Sequence, residues 1–133
     1  MKQSKYDYKQ IISNMYNDIL VKHDMSKLPE YFCTDVVVNI NGKQFDSLEQ
    51  FQKRIQWIKQ NTKSVHLEIV DIICEQNRAS DYHIVDVTNL DGTRGKVMVI
   101  SNIYFIDNKI KNFVLADALI AGDLEPSVVN DAT

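Results

Sequence analysis

From residue 62 onward the chain stops repeating at helical intervals and enters one long β-rich stretch after another. Residues 65–75 (VHLEIVDIICE), 82–88 (YHIVDVT), 96–106 (KVMVISNIYFI) and 109–120 (KIKNFVLADALI) are dense in β-branched and aromatic side chains. QNRAS, NLDGTRG and Asp107-Asn108 separate them, and Asp91-Gly92 is a hairpin signal. Consecutive strands joined by such short breaks pair with their neighbours, so this half predicts an antiparallel meander. Several of these strands are apolar on both faces, whereas a sheet with one face in water alternates cleanly. Both faces therefore need a cover. Helices supply one, and a second copy of the chain is the simplest source of the other, so a homodimer is expected.

The helices precede the sheet. Tyr8, Ile11, Ile12, Met15, Tyr16, Ile19 and Leu20 fall at three- and four-residue steps and predict an amphipathic helix over about residues 5–22. Asp24 is a candidate cap for a shorter helix, in which Pro29 is tolerated only in the first turn and Leu28, Tyr31 and Phe32 face inward. A strand over Val36–Ile40 ends at the turn pair Asn41-Gly42. Ser47 and Gln50 form a capping box for a third helix, with Leu48, Phe51, Ile55 and Ile58 on one side and Trp57 off that stripe. Helices followed by a strand meander define an α+β protein with the helices on one face of the sheet. A chain of 133 residues fits one domain, expected over 1–123 with a flexible tail at 124–133.

Composition narrows the partners. The net charge of −3 lacks the basic balance that nucleic acid or an anionic membrane surface calls for, so neither is expected as a partner. No apolar run approaches the roughly 20 residues of a membrane span, and the amino terminus has no apolar leader core. Cys33 and Cys74 are then expected to be reduced, buried thiols of a cytoplasmic protein. His23, His66 and His83 are scattered, with no H-E-x-x-H or C-x-x-C pair to suggest zinc. Four glycines form no phosphate-cradling loop, so no cofactor is expected.

Candidate functional side chains come from strand parity. Phe113, Leu115, Asp117 and Leu119 share one strand face. A carboxylate there is desolvated, which raises its pKa and suits it to proton transfer near neutrality. The opposite face (Val114, Ala116, Ala118, Ile120) is also apolar, so parity alone does not choose the face that lines a cavity. His83 shares a face with Val85 and Val87, and is either a hydrogen-bonded core residue or a base. Asn39 and Asn41, which alternate with Val38 and Ile40, face solvent or supply neutral hydrogen bonds at a cavity rim, the rim being favoured for Asn39 alone. Trp57 closes a cavity, packs in an interface or stays half-exposed. Asp86 points to solvent or across an interface.

The segment DIL-x3-D-M-x2-L-x2-Y-F-x2-D-V-V-V (Asp18 to Val38), the DNKI turn at residues 107–110 and the order of elements resemble the SnoaL-like branch of the nuclear transport factor 2-like superfamily, over about residues 6–122. The resemblance implies a cone in which a strongly curved antiparallel sheet wraps around three N-terminal helices and leaves an apolar cavity at its open end. Members include ketosteroid isomerases, polyketide cyclases, dehydratases and proteins that only bind or dimerise, so the fold alone does not settle function. It also implies that Tyr16 stands where the isomerases place an oxyanion-stabilising tyrosine. Ile40 stands at their catalytic base, which rules out classical steroid isomerisation, and Ser101 lies near their second acid. The cyclases' late acid/base aspartate corresponds to Asp117.

Together these readings predict a small apolar-ligand pocket. It either binds only or carries out cofactor-free proton transfer of the isomerase, cyclase or dehydratase kind. Asp117 would act as acid/base, Tyr16 as hydroxyl donor and His83 as accessory. Phe32, Val38, Asn39, Ile40, Trp57, Ser101, Phe113 and Leu115 are the expected wall. A pocket of this kind needs roughly 300 Å³ or more. The alternative is a non-catalytic dimerisation or interaction module whose cone is filled by its own side chains.

Overall fold

The computed structural model describes residues 5–123, so the tail expected at 124–133 lies outside the described residues. Helix α1 (Tyr8–Met15) is capped by Asp7, whose carboxylate accepts from the Gln10 amide. It runs directly into a π-helical segment, Tyr16–Val21. The expected single helix is thus widened by an extra residue per turn in its second half. Ile12, Met15, Tyr16 and Ile19 are all completely buried along it.

Asp24 accepts from the Ser26 amide and opens a 3-10 turn, Met25–Lys27, that passes into α2 (Leu28–Tyr31) with Pro29 in its first turn. Helix α3 (Leu48–Asn61) starts at Ser47, whose hydroxyl accepts from the Gln50 amide. The return bond of the capping box slips by one residue. The Gln50 side-chain oxygen takes the Asp46 amide, at 2.9 Å.

The strands are β1 (Phe32–Ile40), β2 (Lys43–Phe45), β3 (Thr62–Glu75), β4 (Arg78–Asn89), β5 (Arg94–Ile106) and β6 (Lys109–Gly122). They form one sheet in the order β2-β1-β6-β5-β4-β3. An unclosed six-stranded sheet over three helices is the α+β architecture expected from the order of elements. Every pairing is antiparallel except β1 with β6, which lie parallel. That pairing brings the opening strand beside the last one, with Ile40 opposite Leu115. The short β2 and the four residues that β4 gains at its start were not evident from the sequence, because polar residues such as Lys43, Gln44, Arg78 and Ser80 pair well on an outer face or edge.

The core lies between the sheet's inner face and the helices. Phe32, Phe51 and Phe113 meet with ring centroids 5.2–6.3 Å apart, and Tyr8 stacks on Phe105 at 4.0 Å. Cys33 and Cys74 are free thiols, half-buried rather than fully enclosed as expected. The outer face of the sheet carries Ile84 opposite Met98 and Met98 opposite Ala118, with Tyr82, Ile100 and Ala116 forming the adjacent row. Both faces of these strands are therefore apolar.

Candidate functional site

The inner face of the sheet is read row by row across its register. Asp81, Ser101 and Leu115 form one row, and His83, Val99 and Asp117 the next. His83 and Asp117 thus lie two strands apart, about 9–10 Å between Cα atoms. Both line a cavity of about 110 Å³ between the sheet and the helices. Leu20, Phe51, Ile55 and Ile58 close it from the helical side. The open end of the sheet meets the helices there, and the filled aromatic core lies deeper.

Behind His83 stands a buried polar chain. Tyr16 donates its hydroxyl to one oxygen of Asp81 at 2.5 Å and lies 3.0 Å from the Ser101 hydroxyl. The other Asp81 oxygen meets His83 Nδ1 at 2.6 Å. Tyr16, Asp81, His83 and Ser101 are all buried, at 4% exposure or less. Burial and the Asp81 charge push the Tyr16 phenol well above its ordinary pKa, so it remains a neutral donor. An ionised carboxylate only accepts, so the His83 contact is an Nδ1–H donated to Asp81. This leaves Nε2 as the ring nitrogen for the cavity. A carboxylate that fixes an imidazole's tautomer and orientation in this way is a recurring device for making a base.

Asp117 sits across the cavity floor, half-buried. Asn41 grips it twice, donating Nδ2 to Asp117 Oδ1 and accepting the Asp117 amide through Oδ1, both at 2.9 Å. Asn41 holds a left-handed φ of +52°, which asparagine tolerates better than most residues. Its side chain continues the β1–β6 pairing past the end of β1. Burial raises the Asp117 pKa, while the Asn41 hydrogen bond and the Arg54 charge oppose the rise. Arg54 is itself buried in α3, with its guanidinium 5.1 Å from the Trp57 ring centre.

Several expected positions are corrected. Tyr16 does not project into the cavity; its hydroxyl is taken up by Asp81, behind the histidine. Ser101 lies in the same second layer. Phe32 and Val38 pack in the core below the cavity, at 1% and 0% exposure. The Asn39 side chain turns back to accept the Gly42 amide at 2.9 Å and so shapes the β1–β2 turn. Trp57 lies on the far side of α3, over Arg54, beside a groove shared with Gln56 and Gln60. Ile40, Phe113, Leu115, His83 and Asp117 do face the cavity.

Three residues were missed by sequence reasoning. Asp81 follows a break signal and shows no apolar pattern of its own. Arg54 looks like a solvated helix residue. His23 stands between helices with no motif around it. For Asp81, the i, i+2 spacing to His83 on one strand was the available signal.

The chain matches the model of the SnoaL-like domain family over residues 13–113 and belongs to that family. It is similar in structure to IdmH from Streptomyces antibioticus, provisionally assigned as a polyketide cyclase (13% identity, 84% of this chain and 92% of that one, TM-score 0.74). It is also similar to an LEH-like epoxide hydrolase from M. tuberculosis (11% identity, 84% and 82%, TM-score 0.72). A third neighbour is a protein of ketosteroid isomerase-like fold from Catenulispora acidiphila in complex with trimethylamine (12% identity, 87% and 86%, TM-score 0.71). At these identities the likeness is one of fold. No curated protein matches the sequence.

The raised pKa of Asp117 has a measurable consequence. The folded state holds this proton more tightly than the unfolded chain does, so the stability it contributes is full below the ordinary carboxylate pKa of 3.8 and is lost as pH rises through the folded value. Asp117→Asn removes this titration and keeps an oxygen for Asn41. Urea unfolding at about pH 4 and about pH 8 should show the variant gaining on the parent protein at the higher pH. A difference that stays constant, or moves the other way, would contradict the assignment.

Proposed function

We propose that this protein binds a small, mostly apolar carbonyl compound and moves a proton on it without a cofactor, in the manner of an isomerase, cyclase or dehydratase. One observation carries the reading: a buried Tyr16–Asp81–His83 chain ends on the wall of an apolar cavity that Asp117 also faces. His83 Nε2 takes a proton from the carbon next to the carbonyl. The C–H electron pair becomes the enol double bond, and the carbonyl oxygen takes the proton of the Asp117 carboxyl group. Reversal at the same or a conjugated carbon returns both protons. Tyr16 acts behind the base by holding Asp81, and Ser101 in turn lies against the Tyr16 hydroxyl. Asp117 keeps the acid role expected of it, and His83 takes the lead.

The cavity's size limits the substrate. About 110 Å³ lies below the usual range for drug-sized ligands and suits a single ring or a short branched chain. The trimethylamine bound by the Catenulispora neighbour is a ligand of that scale. The small volume is also the one feature that favours a non-catalytic module. Against that module stands the cost of burying a carboxylate and an imidazole, to which a filled core would contribute nothing.

The probe is cyclohexanone in D2O, followed by loss of the α-proton signal in NMR spectra. The protein should accelerate exchange above free imidazole. His83→Gln or Asp117→Asn should lower the rate by about 10²-fold or more while the fold is kept. Exchange no faster than in buffer for cyclohexanone and cyclopentanone would remove the catalytic reading.

The proposal includes a homodimer formed through the outer sheet face, where the Ile84–Met98–Ala118 and Tyr82–Ile100–Ala116 rows offer continuous apolar area. Self-association covers such a face without a charged partner. The free thiols of Cys33 and Cys74 fit the reducing interior of a cell, where we place the protein. Sedimentation equilibrium at micromolar concentration should give a dimer that Ile100→Lys converts to monomer. A monomeric parent protein would refute this part.

A further inference from the structure

We propose that His23 is a specificity-determining residue of the cavity, hydrogen-bonding a second polar group on the substrate at the end away from the reacting carbonyl. The substrate class becomes a small ring carbonyl that also bears a hydroxyl. This deepens the reading above and rests on the same cavity.

The sheet wall and the helical wall of the cavity are unlike. The sheet wall carries His83 and Asp117, each held by a partner from behind or beside. The helical wall is aliphatic and aromatic at Leu20, Phe51, Ile55 and Ile58, with His23 set among them. His23 is 7% exposed, and its Nε2 is closed off from solvent with no hydrogen-bond partner among the described residues. Leaving a buried polar atom unsatisfied costs about 1–3 kcal/mol, so such atoms call for an explanation. A ligand group that completes the bond is one.

The backbone supports a deliberate placement. His23 follows the π-helical segment and holds a left-handed φ of +54° before Asp24 starts the next turn. A left-handed residue at this point ends the helix and turns the chain, and histidine adopts it more readily than most residues. Burial and the charge of Lys59 lower the His23 pKa, so the ring is neutral at pH 7 and offers one donor and one acceptor rather than a cation. A hydroxyl suits Nε2 in either tautomer, since it donates to a bare nitrogen and accepts from a protonated one. An anionic group would gain less, and a wholly apolar ligand would leave the nitrogen unsatisfied.

The test compares cyclohexanone with 4-hydroxycyclohexanone, in two readouts. NMR titration with 15N-histidine labelling reads binding and the His23 ring directly, and α-proton exchange reads turnover. The hydroxylated ketone should bind about 3- to 10-fold more tightly, the worth of one neutral hydrogen bond, and should shift the His23 ring nitrogens where cyclohexanone does not. In His23→Leu the two ketones should bind alike, because the hydrogen bond that separates them is gone. His23→Asn, which keeps a polar group and tolerates the backbone angle, should retain part of the preference and guards against a folding defect in the leucine variant. Tighter binding with a His23 shift but no exchange would support this site while removing the proton-transfer reading. Equal binding of the two ketones, no binding of either, or a preference that survives His23→Leu would overturn it.

Discussion

A carboxylate removed from water must be bonded on all sides, and Asp81 is the point where this structure meets that demand. Its two oxygens take Tyr16 from the helical layer and His83 from its own strand. The contact to Tyr16 spans 65 residues of sequence and pins the π-helical segment onto the sheet. The same bond satisfies the phenol, which is fully buried. Remove the carboxylate and two buried polar groups, the Tyr16 hydroxyl and His83 Nδ1, lose their partner together. The network thus fixes how the helices sit on the sheet, and it fixes the histidine that the cavity sees.

The cavity follows from where the packing stops. Phe32 packs in the core against Phe51 and Phe113, which also form part of the cavity wall. Toward the open end the sheet presents valines instead, at positions 85, 87, 97 and 99, which leave room between sheet and helices. Among the described residues, polar side chains reach this space at four points: Thr62, His83 and Asp117 from the sheet and His23 from the helices. Asn41 makes the Asp117 position possible, because its left-handed turn lets a side chain stand in for the next residue of β1. A small volume with few polar groups, each oriented by a partner or left open, suits a small substrate better than a fused-ring one.

Much of the architecture was legible in the chain, and the reason is periodicity. The stripe from Tyr8 to Leu20, the Ser47 cap and the β-rich stretches after Asn61 each state their own local structure. The face assignment of Phe113, Leu115 and Asp117 also follows from parity once one member is known to be buried. What parity cannot carry is depth. Tyr16 and Ser101 lie on the correct faces but one layer behind the cavity, because His83 stands in front of them. Trp57 lies off its helical stripe, and its place over Arg54 depends on a buried guanidinium that no pattern announces. His23 and Asp81 were invisible for the same reason: their significance lies in contacts between distant segments.

The account depends on His83 and Asp117 flanking one substrate-sized space, and a crystal structure with phenol, a planar mimic of the cyclohexanone enol, tests this most directly. The ring should lie in the cavity between the two side chains, its oxygen toward Asp117, with His83 Nδ1 still on Asp81. Phenol excluded from the cavity, or a His83 ring turned away from Asp81 in its presence, would contradict it.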